Sequence, residues 1–507
     1  MNKEQINQNY EVNFKETIPT YTVDEAKAEA TRCYNCKHFP CQQNCPAGVR
    51  IPEFIMQVKE GNIKAAYDII SSTSNLPSMC GRACPHENQC QGVCTRCKVD
   101  GTVNIGRLER FVADTILQEQ EQKGFADIKN EVTERTQSTK ASTVKNPKVA
   151  IIGSGPSGLS SANELAKYGI QSTVFERDNQ LGGVLRLGIP SFRIPVDVVE
   201  RQIALLKNLG VDFQPSTEII STQNPQASTL SQETGDDKRN TKFIADIQKE
   251  YDYIILGQGV TDAIKLGIPN EDAKGIYSAY NYLKRAKLLQ DKTSLVAQNV
   301  VVVGGGNVAM DSSCTAKKLG SQNVTILYRR TRKEMPAREI EIEEALSYGS
   351  TLQELTNPKK FVVDTNGKLT GIECAKMELG EPDSSGRRSP IEVVGSNFIV
   401  PADIVILSLG SRQDKGLLAD LGLELQNGRI PVDTHTMATK VPNIYACGDV
   451  MSGALTVVTA MVAGKTAAQS ILTQLGITPT IIPPRELPNE KMKIKTTFQS
   501  HIPKENQ

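Results

Sequence analysis

The strongest constraint on this 507-residue chain is a pattern that occurs twice: a short apolar run, closely spaced glycines, then a helical stretch. The first copy runs from Val149-Ala150-Ile151-Ile152 into Gly153-Ser154-Gly155-Pro156-Ser157-Gly158. The second runs from Val301-Val302-Val303 into Gly304-Gly305-Gly306-Asn307-Val308-Ala309. Short, wholly apolar runs of this kind read as strands buried on both faces, and strands alternating with helices build parallel sheets. In each copy the glycines permit a tight turn and let backbone approach a pyrophosphate, whose charge then faces a helix N-terminus. A chain this long also exceeds one ordinary core, so two or three domains are expected.

The residues that end the next strands separate the two copies. Thr173-Val174-Phe175 leads into Glu176, about 20 residues past the first loop, where a carboxylate accepts bonds from ribose hydroxyls. Val324-Thr325-Ile326-Leu327-Tyr328 leads instead into Arg329 and Arg330. Arginine there can hold a 2′-phosphate bidentately and favours NADPH over NADH, although a solvated Arg pair is the plainer alternative. A third patch, Ile444-Tyr445-Ala446-Cys447-Gly448-Asp449, is a short strand before Gly-Asp. Asp449 there suits a flavin ribityl hydroxyl, but Gly-Asp is also a common turn.

Nine of the 12 cysteines lie between Cys33 and Cys97. They form Cys33-x2-Cys36-x4-Cys41-x3-Cys45-Pro46 and Cys80-x3-Cys84-Pro85-x5-Cys90-x3-Cys94, with Cys97 beyond. Thiolates are soft ligands for iron–sulfur clusters and zinc, and Cys-Pro closing a dense run is a ferredoxin feature. Paired zinc knuckles are the rival reading, but zinc sites usually pair two Cys-x2-Cys halves across a longer loop. Cys80 and Cys97 could equally be packed bystanders, since free cysteine is readily buried.

Other classes are disfavoured. Net charge is +1 and there is no Trp, so neither a basic footprint nor stacking platforms point to nucleic acid. No apolar run approaches the roughly 18 residues that span a membrane, and Met1-Asn2-Lys3-Glu4-Gln5 lacks an apolar signal core. A cytoplasmic location is therefore expected. None of His38, His86, His435 and His501 sits in a recognisable triad, so no general base is assigned. Helices are expected from Ile51 and over Ile105–Leu117, and Ser221–Lys242 reads as a polar insertion.

Together these features resemble the glutamate synthase small-subunit family, over roughly residues 20 to 475. That family includes the NADPH-binding subunit of the ferredoxin–NADP transhydrogenase and is similar to the N-terminal half of dihydropyrimidine dehydrogenase. The motifs are Glu29-Ala30-Thr31-Arg32-Cys33, the Cys-Pro runs, Ile105-Gly106-Arg107-Leu108-Glu109, Leu187-Gly188-Ile189-Pro190, Gly304 to Asp311, Tyr328-Arg329-Arg330 and Cys447-Gly448-Asp449. The resemblance implies an α/β fold: an N-terminal α-helical iron–sulfur domain followed by two Rossmann-like domains, the NADPH domain inserted in a split FAD domain. It implies a bis-[4Fe–4S] domain over 1–120, a linker 121–146, FAD-domain parts at 147–285 and 401–482, an NADPH domain 286–400, and a tail 483–507. FAD contacts would come from Gly153, Gly155, Gly158, Glu176, Gly183 and Asp449 with Gly448, the flavin edge lying near Thr456 and Val457.

The resemblance further implies two [4Fe–4S] clusters with crossed ligation. Cys33, Cys36, Cys41 and Cys94 would hold one; Cys45, Cys84 and Cys90, completed by Glu109, would hold the other. Counting alone favours eight cysteines, so whether Cys80 or Glu109 completes the second cluster stays open. The implied activity is NADPH-dependent electron transfer through FAD to the clusters, and on to a larger synthase that makes glutamate from glutamine and 2-oxoglutarate. The alternative is a stand-alone reductase or transhydrogenase subunit serving ferredoxin, sulfur compounds or other acceptors. Partners would be a synthase subunit or ferredoxin-type protein, with no nucleic acid or membrane, and oligomerisation is left open.

Overall fold

The computed structural model describes residues 3–139, 147–222, 239–260, 262–289, 291–383, 386–412 and 416–479. Most of the polar stretch 221–242, the end of the expected linker and the tail 483–507 lie outside the described residues.

The cysteine segment is helical. Thr22 starts the helix Val23–Thr31 with a capping box: its hydroxyl accepts from the Glu25 N–H while the Glu25 carboxylate accepts from the Thr22 N–H at 2.7 Å. Helices Ile51–Glu60, Ile63–Ser71, Pro77–Ala83 and Ile105–Gln122 follow, burying Phe54, Ile55, Ile70, Met79, Leu108 and Val112 against one another. Apolar residues at helical spacing give each a stripe to bury, which is why the sequence reads clearly here.

The first glycine loop belongs to a five-stranded parallel sheet. Its order is Ile444–Ala446, Tyr253–Leu256, Val149–Ile152, Ser172–Phe175, Asp212–Gln214. The edge strand Ile444–Ala446 comes almost 200 residues after its neighbour, at about the spacing the chain needs to build a second unit in between. That unit is another five-stranded parallel sheet, ordered Thr351–Gln353, Asn323–Leu327, Asn299–Val303, Ile404–Leu407, Ile276–Ser278. An antiparallel sheet built on Leu369–Pro382 covers it. Where the chain passes between the units, Asp262–Ala263 pairs with Ser411–Arg412. The fold is thus one dinucleotide-binding unit inserted within another, as the resemblance implies, and the inserted strands reach beyond 286–400 on both sides.

The helix Val457–Gln474 crosses Pro156–Ala166 so closely that a Cβ on Gly464 would lie 2.1 Å from the Ser157 carbonyl oxygen. Hydroxyls fill the seam, with Ser160 Oγ donating to Met461 O at 2.7 Å and Ser161 Oγ to Gly464 O at 2.9 Å. The cysteine domain docks on this pair through buried Asn75, whose Nδ2 donates to Ser160 O (3.0 Å) and Glu164 Oε2 (3.2 Å).

Two segments depart from expectation. Residues 126–139, within the expected linker, form the helix Ala126–Thr139, with Lys64 reaching Glu131 at 3.0 Å. It is mostly polar, with Ile128 and Val132 its main apolar residues, and carries little periodic signal. The helix Lys3–Asn13 packs not on the cysteine domain but on the inserted unit: Ile6 is buried there, and Asn13 Nδ2 donates to Lys318 O at 3.2 Å, while the Phe14 ring just beyond the helix lies 5.6 Å from that of Phe192 in the first unit. Among the described residues, no helix is long and apolar enough to cross a membrane.

Candidate functional site

A cavity of about 1090 Å³ lies where the three parts meet. Its walls include Gly153, Gly155 and Glu176 of the first sheet, Asn307 and Val308 of the inserted unit, and His86, Glu87 and Gln91 of the cysteine domain.

The first glycine loop splits by role. Added Cβ atoms on Gly153 and Gly158 would meet backbone at 2.6 and 2.0 Å, so these glycines serve turn and packing. A Cβ on Gly155 meets nothing within 4 Å. It opens on the cavity at the start of Pro156–Ala166, an eleven-residue helix whose N-terminus has no side-chain cap. Pro156 and Ser157 line the same wall, and Gly183, at φ 51°, abuts Gly155. Uncapped N–H groups facing open space fit a phosphate. Glu176 is buried beside them, its Oε2 accepting from the Ser154 N–H (3.0 Å) and hydroxyl (2.6 Å). Burial raises its pKa, with Asp178 adding to the effect.

The second loop repeats the arrangement. Gly304 and Gly305 are closed in by Ser408 and the Tyr328 ring, whereas Gly306 stands open at the uncapped start of Asn307–Leu319. Val308 is exposed and Ala309 buried. The arginine pair divides. Arg330 is buried, with Nη2 2.6 Å from Asp383 Oδ2 and Nε donating to Arg388 O at 2.7 Å. Arg329 is exposed, so of the two it is the one available to a 2′-phosphate.

At the far wall, Gly448 (φ 74°) sits against Ser157, and Asp449 lines the cavity. Burial pushes the Asp449 carboxyl up to about 6, against a bond from the Leu455 N–H that lowers it. Thr456 caps Val457–Gln474, and Thr456 and Val457 both face the cavity.

Among the described residues no three His, Cys, Asp or Glu side chains are set to hold a single metal ion. The cysteines nevertheless fall into two adjoining groups. Burial raises the Cys33 thiol, with Cys36 and Cys94 adding to it, and pushes Cys41 up to about 12, with Cys33 and Cys94 adding. Burial likewise lifts Cys45 to about 11, with Glu109 and Cys80 contributing, and lifts Cys90 with Cys45 and Glu109 contributing. Cys84 is raised first by its bond with Cys80, then by burial. Glu109 is itself pushed up to about 8 by burial. All these cysteines are free thiols. A closely grouped set of buried and half-buried, uncrosslinked sulfurs is a donor set for a soft-metal cluster, not for hard cations.

In the second group Cys80, Cys84 and Cys90 are buried and Cys45 is half-buried, with their neighbours Ala83, Pro85 and Gln91 on the cavity wall; the first group is half-buried throughout. Cys80 belongs with the second group, and its Sγ also contacts Met461 Sδ at 3.8 Å. Cys97 is exposed rather than packed.

Sequence reasoning missed Gln258 and Asp178 on this wall. Gln258 follows the strand Tyr253–Leu256 between two glycines, and its Oε1 is buried without a partner. The Gly257-Gln258-Gly259 repeat was the available signal. Lys284 of the inserted unit meets buried Asp178 at 2.5 Å, a pairing 106 residues apart that no local pattern announces.

Known proteins share this plan. Residues 147–470 match the pyridine nucleotide-disulphide oxidoreductase family, and residues 10–121 match dihydropyrimidine dehydrogenase domain II, 4Fe-4S cluster. The glutamate synthase [NADPH] small chain of Escherichia coli (strain K12) is 33% identical, over 92% of this chain and 95% of that one. The NADP(+)-dependent formate dehydrogenase subunit beta of Moorella thermoacetica is 36% identical, over 85% of this chain and 59% of that one. Among solved structures, Mycobacterium tuberculosis FprA in complex with NADPH shares the fold, with TM-score 0.52 and 19% identity over 66% of this chain and 85% of that one.

Proposed function

The chain belongs to the pyridine nucleotide-disulphide oxidoreductase family and to the family of glutamate synthase small chains, and on that premise we propose a route and a destination for its electrons. It is an NADPH-dependent flavin and iron–sulfur oxidoreductase. In the proposed assignment FAD lies along Gly153–Gly158, Glu176, Gly183, Gly448, Asp449, Thr456 and Val457. NADPH lies along Gly304–Ala309 with Arg329 on its 2′-phosphate. Two [4Fe–4S] clusters take the two cysteine groups, with Glu109 completing the inner one. The proposed domain limits are those the resemblance implies, with the inserted unit widened to take in its strands Ile276–Ser278 and Ile404–Leu407.

One observation carries the reading: a single cavity is walled by both glycine-loop units and by the cysteine domain. FAD bound there supplies a hydride acceptor for NADPH and a one-electron donor for clusters. The protein's own work is to hold and orient. Open glycines admit the phosphates, Glu176 is set for ribose hydroxyls, and the buried wall excludes water.

The proposed destination is a larger synthase subunit that makes glutamate from glutamine and 2-oxoglutarate, because a small chain of such an enzyme matches over nearly its whole length. A formate dehydrogenase subunit among the relatives favours a second reading, a reductase serving another acceptor. The purified chain should reduce ferricyanide with NADPH but form no glutamate, and should form it once a synthase large subunit is added. Glutamate formation by the chain alone would overturn this division of labour.

A further inference from the structure

The second glycine loop is tied to the cysteine domain through one residue. The segment after Met335 runs beneath the loop, with the Ala337 N–H donating to Gly305 O at 3.1 Å and the Arg338 N–H to Asn307 Oδ1 at 2.8 Å. The Arg338 side chain turns the other way. Its guanidinium grips Glu87 of the cysteine domain with two prongs, Nη2 to Oε2 at 2.7 Å and Nε to Oε1 at 2.5 Å. Glu87 follows Cys84-Pro85-His86, next to the inner cysteine group, and both partners line the cavity. A third tie completes the junction: Arg193 of the first unit binds Asp311 of the helix Asn307–Leu319 and reaches Glu344 at 2.9 Å.

Two-pronged Arg–carboxylate pairs fix direction as well as distance. Arg338 is largely shielded, and Glu341 stands 3.4 Å from its other Nη. The pair joins residues 251 apart in different domains. It therefore contributes little to either domain's own folding, but it restrains where Asn307, and with it the open end of the glycine loop, stands relative to the cavity.

We propose that Arg338, held by Glu87, is a positioning residue for hydride transfer: it sets the loop that carries NADPH at a fixed distance from the flavin wall without touching the nucleotide. This rests on the assignment of NADPH to Gly304–Ala309. Binding affinity comes mainly from the phosphate contacts, which the substitution leaves in place, whereas transfer depends on alignment. A misplacement of about 1 Å costs on the order of 10²-fold in rate.

The test uses the full chain carrying its cofactors, with wild type beside Arg338→Ala, Arg338→Lys, Glu87→Gln and the double variant Arg338→Ala/Glu87→Gln. Anaerobic rapid mixing with NADPH gives the rate of flavin bleaching. Equilibrium dialysis gives the NADP+ dissociation constant, and long-wavelength absorbance reports nicotinamide stacked on flavin. Arg338→Ala should lose about 10²-fold in bleaching rate and the stacking absorbance, with an unchanged dissociation constant and full flavin content. Glu87→Gln should lose about 10-fold, the double variant should be no slower than Arg338→Ala, and Arg338→Lys should recover part of the loss. Wild-type rates in Arg338→Ala, strictly multiplicative losses in the double variant, or a loss confined to NADP+ affinity would each overturn the proposal. A wild-type protein that NADPH does not bleach would instead overturn the nucleotide assignment beneath it. If Arg338→Ala loses flavin, Glu87→Gln, which keeps shape and removes only charge, decides between the outcomes.

Discussion

Asp449 offers the sharpest test of the flavin wall, because it should trade stability for binding. Its carboxyl is pushed from 3.8 to about 6 by burial. An acid whose pKa is higher folded than unfolded holds its proton more tightly in the native state, so stability falls as pH rises from about 4 to about 6 and stays lower above that. The gap of roughly two units, at about 1.4 kcal/mol each, puts the cost of the buried charge near 3 kcal/mol at neutral pH. Asp449→Asn keeps the shape and removes the charge. Flavin-stripped Asp449→Asn should therefore melt higher than stripped wild type at pH 7.5, by about 3 °C for a chain of 507 residues, and the two should converge near pH 4. The same change removes a charged acceptor from the cavity, so flavin affinity should fall by about 10- to 100-fold, the worth of a charged hydrogen bond. Calorimetry of stripped protein at the two pH values and flavin titration measure both effects. An unchanged or lower melting temperature at pH 7.5, or a gain equally large at pH 4, would refute the burial argument; undiminished flavin affinity would remove Asp449 from the site.

Three further outcomes are expected. Arg329→Ala should raise the KM for NADPH by about 10- to 100-fold and leave NADH unaffected, whereas Arg330→Ala, which removes the buried ion pair with Asp383, should show itself in melting temperature; steady-state kinetics with both nucleotides separates them. Cys94→Ser and Cys84→Ser should each remove a different iron–sulfur EPR signal, and loss of the same signal by both would refute the two-group arrangement. Asn75→Ala takes one buried donor from Ser160 O and from Glu164, which keeps Gln469 Nε2 at 2.8 Å, and should cost about 1–3 kcal/mol, read as earlier proteolytic release of the cysteine domain; unchanged protease resistance would show that the docking does not depend on it.

Local chemistry made much of this legible. Strand, glycine turn and helix are neighbours in the chain, so both dinucleotide units could be read from Val149–Gly158 and Val301–Ala309. The cysteine groups are harder. Spacing reveals a cluster domain, but Cys94 stands with Cys33 and Cys36 while Cys45 stands with Cys84 and Cys90, an exchange made by chain crossing. The insertion of one unit in the other entered through family likeness alone, because nothing around Ile444 announces that its strand pairs beside Tyr253. What stayed hidden depends on tertiary partners. Arg330 looks like its neighbour until Asp383 claims it, Arg338 looks like a surface arginine until Glu87 meets it, and the helix Ala126–Thr139 has too polar a surface to betray itself.

The central claim is that electrons pass from NADPH through flavin into clusters held by the two cysteine groups. Anaerobic titration of the purified chain with NADPH, followed by absorbance and by EPR on frozen samples from the same cuvette, tests it most directly. The account predicts a yellow-brown protein whose flavin band bleaches as NADPH is added, with reduced iron–sulfur signals rising in step and NADH acting far more weakly. A colourless protein, or flavin that bleaches while the clusters stay oxidised in excess NADPH, would contradict it.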